Sequence, residues 1–110
     1  MDFTVGKPSR DKGARFEREI VGIAQAHGLD AVRVPLSGAT SFAKGDVVVS
    51  NDLDSWTIEA KKRANGDGFK TIYAWLEKDC DLLVLGADRK RALAVLPLAD
   101  FFDLLAGRHT

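Results

Sequence analysis

The sequence predicts a single α/β domain in which helices flank one mixed β-sheet. Its 110 residues are one domain by length, and 45% hydrophobic with 29% charged residues is typical of a globular protein. Helical and strand periodicities follow one another in the order α-β-β-β-α-β-β-α. Because the third and fourth strands are joined through a helix, we expect them to lie parallel in the same sheet.

The first half of this order begins with a basic N-terminal arm, about residues 1–13, and continues into a helix over residues 14–27. Gly28 is a plausible C-terminal stop for that helix. Residues 31–35 form the first predicted strand, and residues 36–45 a polar, glycine-bearing loop. Residues 45–49 and 56–63 then form a hairpin of two short strands around a polar turn.

The second half adds a helix over residues 68–78, strands over 81–86 and 91–96, and a terminal helix that ends at Gly107. Apolar side chains at helical spacing in the first of these helices predict a core-facing stripe: Phe69, Ile72, Tyr73 and Leu76. Trp75 falls outside the stripe, where a half-buried position, or stacking on a base or a partner subunit, is expected. The continuous apolar run at 82–85 indicates a strand that is covered on both faces.

Composition excludes several classes of protein. Cys80 is the single cysteine, so no internal disulfide forms, which fits a reducing cytoplasm. His27 and His109 stand alone, which argues against a structural zinc site. No apolar run is long enough to span a bilayer, and the N-terminus lacks signal-peptide features. Sixteen basic and sixteen acidic residues cancel, so only a local basic stripe could indicate nucleic-acid binding.

Two carboxylates and a lysine meet in the predicted hairpin. Alternation on its second strand puts Thr57, Glu59 and Lys61 on one face, and pairing brings Asp46 close to Glu59. Such a group can hold a hard divalent cation and position a water or a phosphate. The alternative is an exposed face that carries a cross-strand ion pair.

Glu17 is the third acidic candidate. It borders the inward-facing stripe of the first helix, whereas Glu19 faces solvent. A carboxylate there needs a partner, either a metal or a neighbouring cation. The alternative is an acidic residue that the helix dipole favours near the helix start.

The basic stripe begins in the arm and the first helix, with Lys7, Arg10, Lys12, Arg15 and Arg18. Either these residues contact phosphates, or the arm is solvated and partly disordered. Ser37, Thr40 and Ser41 of the polar loop could donate hydrogen bonds to phosphate oxygens.

Together these motifs resemble the PD-(D/E)xK nuclease superfamily: an acid in the first helix, an aspartate that opens one strand, and Glu59-Ala60-Lys61 on the next. Residues 12–19, 37–39, 44–46 and 58–61 are most similar to archaeal-type Holliday junction resolvases and their phage relatives, over about residues 10–86. Gly45 replaces the proline of the superfamily motif. The resemblance implies an αβββαβ nuclease core with an added C-terminal strand and helix.

The resemblance also implies the site. Its catalytic residues would be Glu17, Asp46, Glu59 and Lys61, with Mg²⁺ or Mn²⁺ held by Asp46, Glu59, the backbone carbonyl of Ala60 and Glu17, directly or through water. Residues expected to contact DNA are Arg10, Lys12, Arg15, Arg18, Ser37, Lys44, Lys62 and Arg63. The expected substrate is a four-way DNA junction and the expected assembly a homodimer, in a phage or prophage context.

Other functions stay open on the same residues. The active site would serve equally in a restriction, repair or DNA-degrading nuclease, because catalytic residues do not encode substrate geometry. A catalytically silent DNA-binding subunit is a second alternative, although the full set of four residues argues against it. A scaffold protein whose charged face has no function is a third.

Overall fold

A computed structural model of the chain describes residues 6–34, 46–77 and 80–107. It contains three helices and five strands: α1 (Gly6–Ala26), β1 (Asp30–Arg33), β2 (Val47–Ser50), β3 (Ser55–Ile58), α2 (Lys70–Leu76), β4 (Leu83–Leu85), β5 (Leu93–Val95) and α3 (Leu98–Leu105). This order confirms the predicted α/β class and the αβββαβ core with an added strand and helix. Within the described ranges, no helix is both long and apolar enough to cross a membrane.

Helix α1 begins at Gly6, well before the predicted start near Ala14. Pro8 does not prevent this, because a proline in the first helical turn lacks only a backbone N–H that would have no intrahelical acceptor. The predicted stop is confirmed. Gly28 has φ +84°, and the backbone N–H of Leu29 donates to the Ala24 carbonyl at 3.0 Å, so a Schellman motif ends the helix.

Strands β1, β2 and β3 form an antiparallel sheet with β2 at the centre. Val47 pairs with Arg33 on one side and with Ile58 on the other. Val47 and Val49 are fully buried, whereas Val48 is not, so one face of the sheet is directed to the core. The expected alternation on β3 is confirmed, since Trp56 and Ile58 are partly buried and Thr57 is exposed.

A tight turn joins β2 to β3 and is anchored to α3. The side-chain oxygen of Asn51 accepts hydrogen bonds from the backbone N–H groups of Leu53 and Asp54, both at 2.8 Å. Its side-chain amide donates to the Leu105 carbonyl at 3.0 Å. One asparagine therefore shapes the hairpin turn and satisfies a carbonyl at the end of the terminal helix.

The core lies between α1, the three-stranded sheet and α3. Its buried residues are Ile20, Ala24, Leu29, Ala31, Val47, Val49 and Phe102. Phe102 is fully buried and comes from α3, outside the expected nuclease core. The terminal helix is thus a structural part of this domain and not an appendage.

The predicted single sheet is divided into two. Strand β4 pairs antiparallel with β5 in a separate two-stranded sheet, and no parallel pairing of β3 with β4 occurs among the described residues. A short turn favours this hairpin, with the Lys90 N–H donating to the Ala87 carbonyl at 3.2 Å. Closing so short a loop costs less conformational entropy than closing the long connection through α2.

The half of the chain that contains α2, β4 and β5 is also more open than predicted. No residue of α2 is buried and Tyr73 is 62% exposed, whereas Phe69, Ile72 and Leu76 are half-buried, so the described residues cover the expected core stripe only in part. Val84 is 61% exposed, so β4 is not covered on both faces. The radius of gyration is 16.0 Å, compared with about 13 Å for a compact domain of this length.

Candidate active site

Asp46 and Glu59 flank the same end of the β2–β3 ladder. The paired register ends at Val47–Ile58, so these two residues are the first beyond the strands at that end. The Asp46 N–H donates to the Ile58 carbonyl at 2.8 Å, on the side of β3, whereas the Asp46 carbonyl accepts from the Val34 N–H on the side of β1. In a regular antiparallel strand both groups of one residue point to the same neighbour, so the ladder is interrupted at Asp46 and does not set it squarely opposite Glu59.

The position of Asp46 is fixed by three hydrogen bonds. Besides the bond to Ile58, its carbonyl accepts from the Val34 N–H at 2.9 Å, which links it to the chain beyond β1. Its side-chain Oδ2 accepts from the Ala60 N–H at 2.8 Å. This last bond aligns the Glu59–Ala60 backbone with the Asp46 carboxylate and leaves Oδ1 facing away from that donor.

Lys61 lies beside Glu59 on the exposed face, as the alternation predicted. Its Nζ is 3.1 Å from Glu59 Oε2, and both side chains are more than half exposed. An ion pair this exposed contributes on the order of 0 to 1 kcal/mol. The ammonium is therefore held near Glu59 only weakly and can exchange that carboxylate for another anion.

Glu17 has the partner that its position demands, and that partner is Arg33. Arg33 Nε donates to Glu17 Oε1 at 3.0 Å, and the Glu17 side chain is only 16% exposed. Of the two partners expected for Glu17, a metal or a cation, the described structure contains the cation. Sequence reasoning did not single out Arg33. The signal in the sequence was its spacing from Ala31. Arg33 lies two residues after the buried Ala31, and side chains two residues apart on a strand point to the same face, so the arginine lies on the inward face of β1.

Glu17 and Glu59 approach the sheet from different faces. Helix α1 covers the core face of the sheet, whereas alternation directs Glu59 to the opposite face. Within residues 6–34, 46–77 and 80–107, no three acidic, histidine or cysteine side chains lie close enough to hold a metal ion together. In the described contacts, Glu17 is held by Arg33, Asp46 by the Ala60 N–H and Glu59 by Lys61.

A basic groove runs beside this site, between α1 and the segment after β3. We define it by Lys12, Arg15, Phe16, Lys62 and Arg63. It consists of two adjoining hollows of about 360 and 310 Å³ that share Lys12, Phe16 and Lys62. Lys61 lines the larger hollow, so the groove reaches the candidate active site.

Two cations of the groove lie over aromatic rings. Lys62 Nζ is 5.2 Å from the Phe16 ring centroid and 3.6 Å from Glu19 Oε1. The Arg63 guanidinium is 6.0 Å from the Phe69 ring centroid. These weak contacts hold long side chains in place while their charged groups stay accessible.

The remaining residues predicted to contact DNA either lie outside the basic groove or are not among the described residues. Arg18 is exposed on α1 and does not line the groove. The side chain of Arg10, together with Ser37, Lys44 and the Gly45 position, lies outside the described residues. Their proposed contacts with DNA remain predictions.

The Glu17–Arg33 pair should be energetically coupled, unlike the more exposed Glu19–Lys62 pair. We expect a double-mutant cycle with Glu17→Ala and Arg33→Ala to give a coupling free energy of roughly 1 to 2 kcal/mol, because removal of one partner leaves a poorly solvated charge. The control cycle with Glu19→Ala and Lys62→Ala should give less than about 0.5 kcal/mol. Urea denaturation measures both cycles, and equal coupling energies would contradict the positioning role of Arg33.

Comparison with known families assigns the chain to one of them. The model of the archaeal Holliday junction resolvase family (Hjc) matches residues 8–95. This range contains all but the first two residues of α1, the three-stranded sheet, α2 and β4–β5, together with Glu17, Asp46, Glu59 and Lys61, and stops before α3. Neither the curated proteins nor the solved structures give a significant match. The PD-(D/E)xK superfamily includes this family of nucleases that act on DNA junctions, and the chain belongs to it: it is a member of the archaeal Holliday junction resolvase family.

Proposed function

We propose that this protein is a metal-dependent endodeoxyribonuclease that cuts four-way DNA junctions by phosphodiester hydrolysis. The observation that supports this most directly is that Asp46 and Glu59 flank the same end of the β2–β3 ladder, with Lys61 in contact with Glu59, in a chain of the resolvase family. The setting that we propose is the cytoplasm of a bacterial or phage-infected cell.

The donor atoms at the site fit a hard divalent cation. The carboxylates of Asp46 and Glu59 and the carbonyl oxygen of Ala60 are oxygen ligands, which Mg²⁺ and Mn²⁺ prefer, and the site contains neither thiol nor imidazole. The family's resolvases depend on divalent metal ions. When bound there, the cation would neutralise charge that builds on the scissile phosphate.

The other two catalytic candidates are Lys61 and Glu17. Lys61 is held only weakly by Glu59, so its ammonium can turn toward a phosphate oxygen or toward the attacking water. Glu17 would complete the site through water, since its carboxylate is held by Arg33. Arg33 is then a positioning residue, which keeps the Glu17 carboxylate oriented.

The basic groove would hold the DNA backbone that leads to this site. Lys12, Arg15, Lys62 and Arg63 supply four positive charges along it, and the only acidic side chain that lines either hollow is Glu19. A net charge of zero over the whole chain does not oppose this role, because phosphate contacts depend on local charge. Contacts of this kind recognise the shape of the backbone and not base sequence.

The restriction, repair or DNA-degrading nuclease remains the enzymatic alternative to junction cleavage, because the same four residues would serve it. The silent DNA-binding subunit is less well supported. Asp46, Glu59 and Lys61 supply the side-chain chemistry that hydrolysis needs, and Lys61 contacts Glu59. A protein that only binds DNA has no use for that set of residues.

Cleavage of a synthetic four-way junction, next to a linear duplex of the same sequence, tests the proposal. With Mg²⁺ we expect paired, symmetric nicks in the junction, and EDTA should abolish them. Asp46→Asn should lower the rate by at least about a hundredfold, since it removes an anionic ligand from the site. Asp52→Asn is the matched control, because Asp52 is an exposed aspartate on the β2–β3 turn at the other end of the strands.

Calorimetric titration of Mn²⁺ into the same three proteins gives a measurement that does not depend on activity. Wild type and Asp52→Asn should bind the ion, and Asp46→Asn should bind it more weakly. Equal cleavage of junction and linear duplex would support the non-specific nuclease. Junction binding without any cleavage would favour the silent subunit.

Gly13 offers a second test, which separates stability from DNA binding. It lies inside α1 and lines the groove, and a Cβ added there would meet nothing within 4 Å. Gly13→Ala should therefore raise the free energy of unfolding by roughly 0.5 to 1 kcal/mol. It should also weaken junction binding by about fivefold, because the methyl group occupies space where we place the DNA backbone.

Gly22→Ala is the control for this test. Gly22 lies on the same helix, also has nothing within 4 Å of its added Cβ, and does not line the groove. It should give a similar gain in stability and no change in the dissociation constant, as measured by fluorescence anisotropy. If the two variants bind the junction equally well, the DNA does not approach α1 at Gly13.

We also propose that the protein acts as a homodimer, since two symmetric cuts need two active sites. The supporting observation is the outer face of β4–β5, where Val84 is 61% exposed, Ala94 is also exposed and no second layer covers them in the described chain. A two-stranded hairpin is marginally stable on its own in water, so an apolar partner surface would stabilise it.

Sedimentation equilibrium tests this assembly. Val84→Lys should weaken self-association by at least about tenfold, because dimer formation would bury an unpaired ammonium. Leu53→Lys is the control, since Leu53 is 87% exposed on the β2–β3 turn. If Val84→Lys weakens self-association no more than Leu53→Lys does, the dimer interface lies elsewhere on the protein.

A further inference from the structure

Another cavity, of about 350 Å³, is lined by Lys61 and shares no other described lining residue with the basic groove. Its walls come from α2 and from the segment that leads from β5 into α3, and include Phe69, Ile72, Tyr73, Val95 and Leu98. Of the residues that line it, only Lys61 and Tyr73 have polar side chains. The cavity is therefore apolar inside, with a cation at its edge.

Lys61 lines both this cavity and the larger hollow of the basic groove. Arg63 is a second link, because it lines the groove while its guanidinium lies over Phe69 of the cavity wall. A ligand that spans Lys61 would thus meet cations on one side and apolar side chains on the other. A nucleotide of a DNA strand matches both sides. Its phosphate is anionic and would meet the cations, and its base is flat, with largely apolar faces that would meet the apolar side chains.

Tyr73 is suited to the base. It is 62% exposed although it belongs to an apolar helical stripe, so its ring is accessible from the cavity. Aromatic side chains stack on bases irrespective of sequence, because every base has a π-face. An apolar chain or a protein side chain would fill the cavity but would make no use of the cations of Lys61, Lys62 and Arg63 beside it.

We propose that this cavity receives an unstacked nucleobase of the DNA, adjacent to the phosphate beside Lys61, with Tyr73 stacked on that base. The inference rests on the proposed nuclease function and deepens it. Extruding a base is least costly where its stacking is already interrupted, and a branch point is such a place. The cavity then contributes to the preference for branched DNA over a linear duplex, which the carboxylates alone do not supply.

The test combines a protein change with a DNA change. Dissociation constants are measured by fluorescence anisotropy in EDTA, so that no cleavage occurs, for full-length wild type and for Tyr73→Ala. The DNA is a four-way junction that is either intact or abasic at the nucleotides of the branch point. We expect Tyr73→Ala to weaken binding of the intact junction by about tenfold and binding of the abasic junction by less than about twofold.

Two further variants serve as matched controls. Tyr73→Phe keeps the ring and should bind the intact junction like wild type. Trp75→Ala removes another exposed aromatic side chain of α2, one that does not line the cavity, and should leave the affinity unchanged. Because no residue of α2 is buried, we expect all three variants to fold, which circular dichroism checks.

The outcomes separate this inference from the proposed function. If Tyr73→Ala lowers the affinity for intact and abasic junctions equally, the cavity does not contact the base. This result would overturn the inference but not the proposed nuclease function. Conversion of a dimer to a monomer by Tyr73→Ala, seen by sedimentation, would assign the cavity to a second copy of the chain and would also overturn it. A wild type that neither binds nor cuts any DNA would overturn the proposed function, and the inference with it.

Discussion

The antiparallel register between β2 and β3 is the constraint on which the candidate site depends. Val47 and Val49 are fully buried and Val47 pairs with Ile58, so the hydrophobic core fixes which residues face each other. A slip of one residue would either turn Glu59 toward the core or expose the valines, and the energetics of burial forbid both. The positions of Asp46 and Glu59 at the end of this ladder are therefore a consequence of core packing at the adjacent pair, Val47 and Ile58.

Helix α1 connects this core to both functional features of the surface. Ile20 and Ala24 of the helix are buried against the sheet, while Glu17, about one turn earlier, meets Arg33 at the edge of the same interface. The preceding turns carry Lys12 and Phe16 of the basic groove. Because one rigid helix presents all of these side chains, their spacing relative to the carboxylates is set by the same packing that stabilises the domain.

The sequence was sufficient for features that depend on local pattern. The order of elements, the exposed face with Thr57, Glu59 and Lys61, and the stop at Gly28 were all predicted, because period and turn chemistry are local properties. The need of Glu17 for a partner was also predicted. The identity of that partner was not, since Arg33 is distant in sequence and only the fold brings the two together.

Pairing between distant strands was the main failure of prediction. The apolar run around Val84 indicated a strand inside a larger sheet, but such a run reports only that apolar surface must be covered, not by which strand or which chain. The described chain resolves this with a local hairpin and leaves Val84 and Tyr73 exposed. The sequence of α2 left the same question open. Its apolar stripe has helical spacing in every case, whether a core, a second copy of the chain or a ligand covers it.

The two halves of the chain thus differ in a way that would suit the proposed junction nuclease. The carboxylates lie on the half with a closed core, where positions are held by buried valines and by the Asp46–Ala60 hydrogen bond. The half with α2, β4 and β5 contributes no fully buried residue and exposes aromatic and aliphatic side chains beside Lys61. Hydrolysis needs fixed geometry, whereas recognition of a branched substrate needs accessible surface. A domain of this size would provide both, because apolar side chains of α2, β4 and β5 stay exposed and accessible to a second copy of the chain or to DNA.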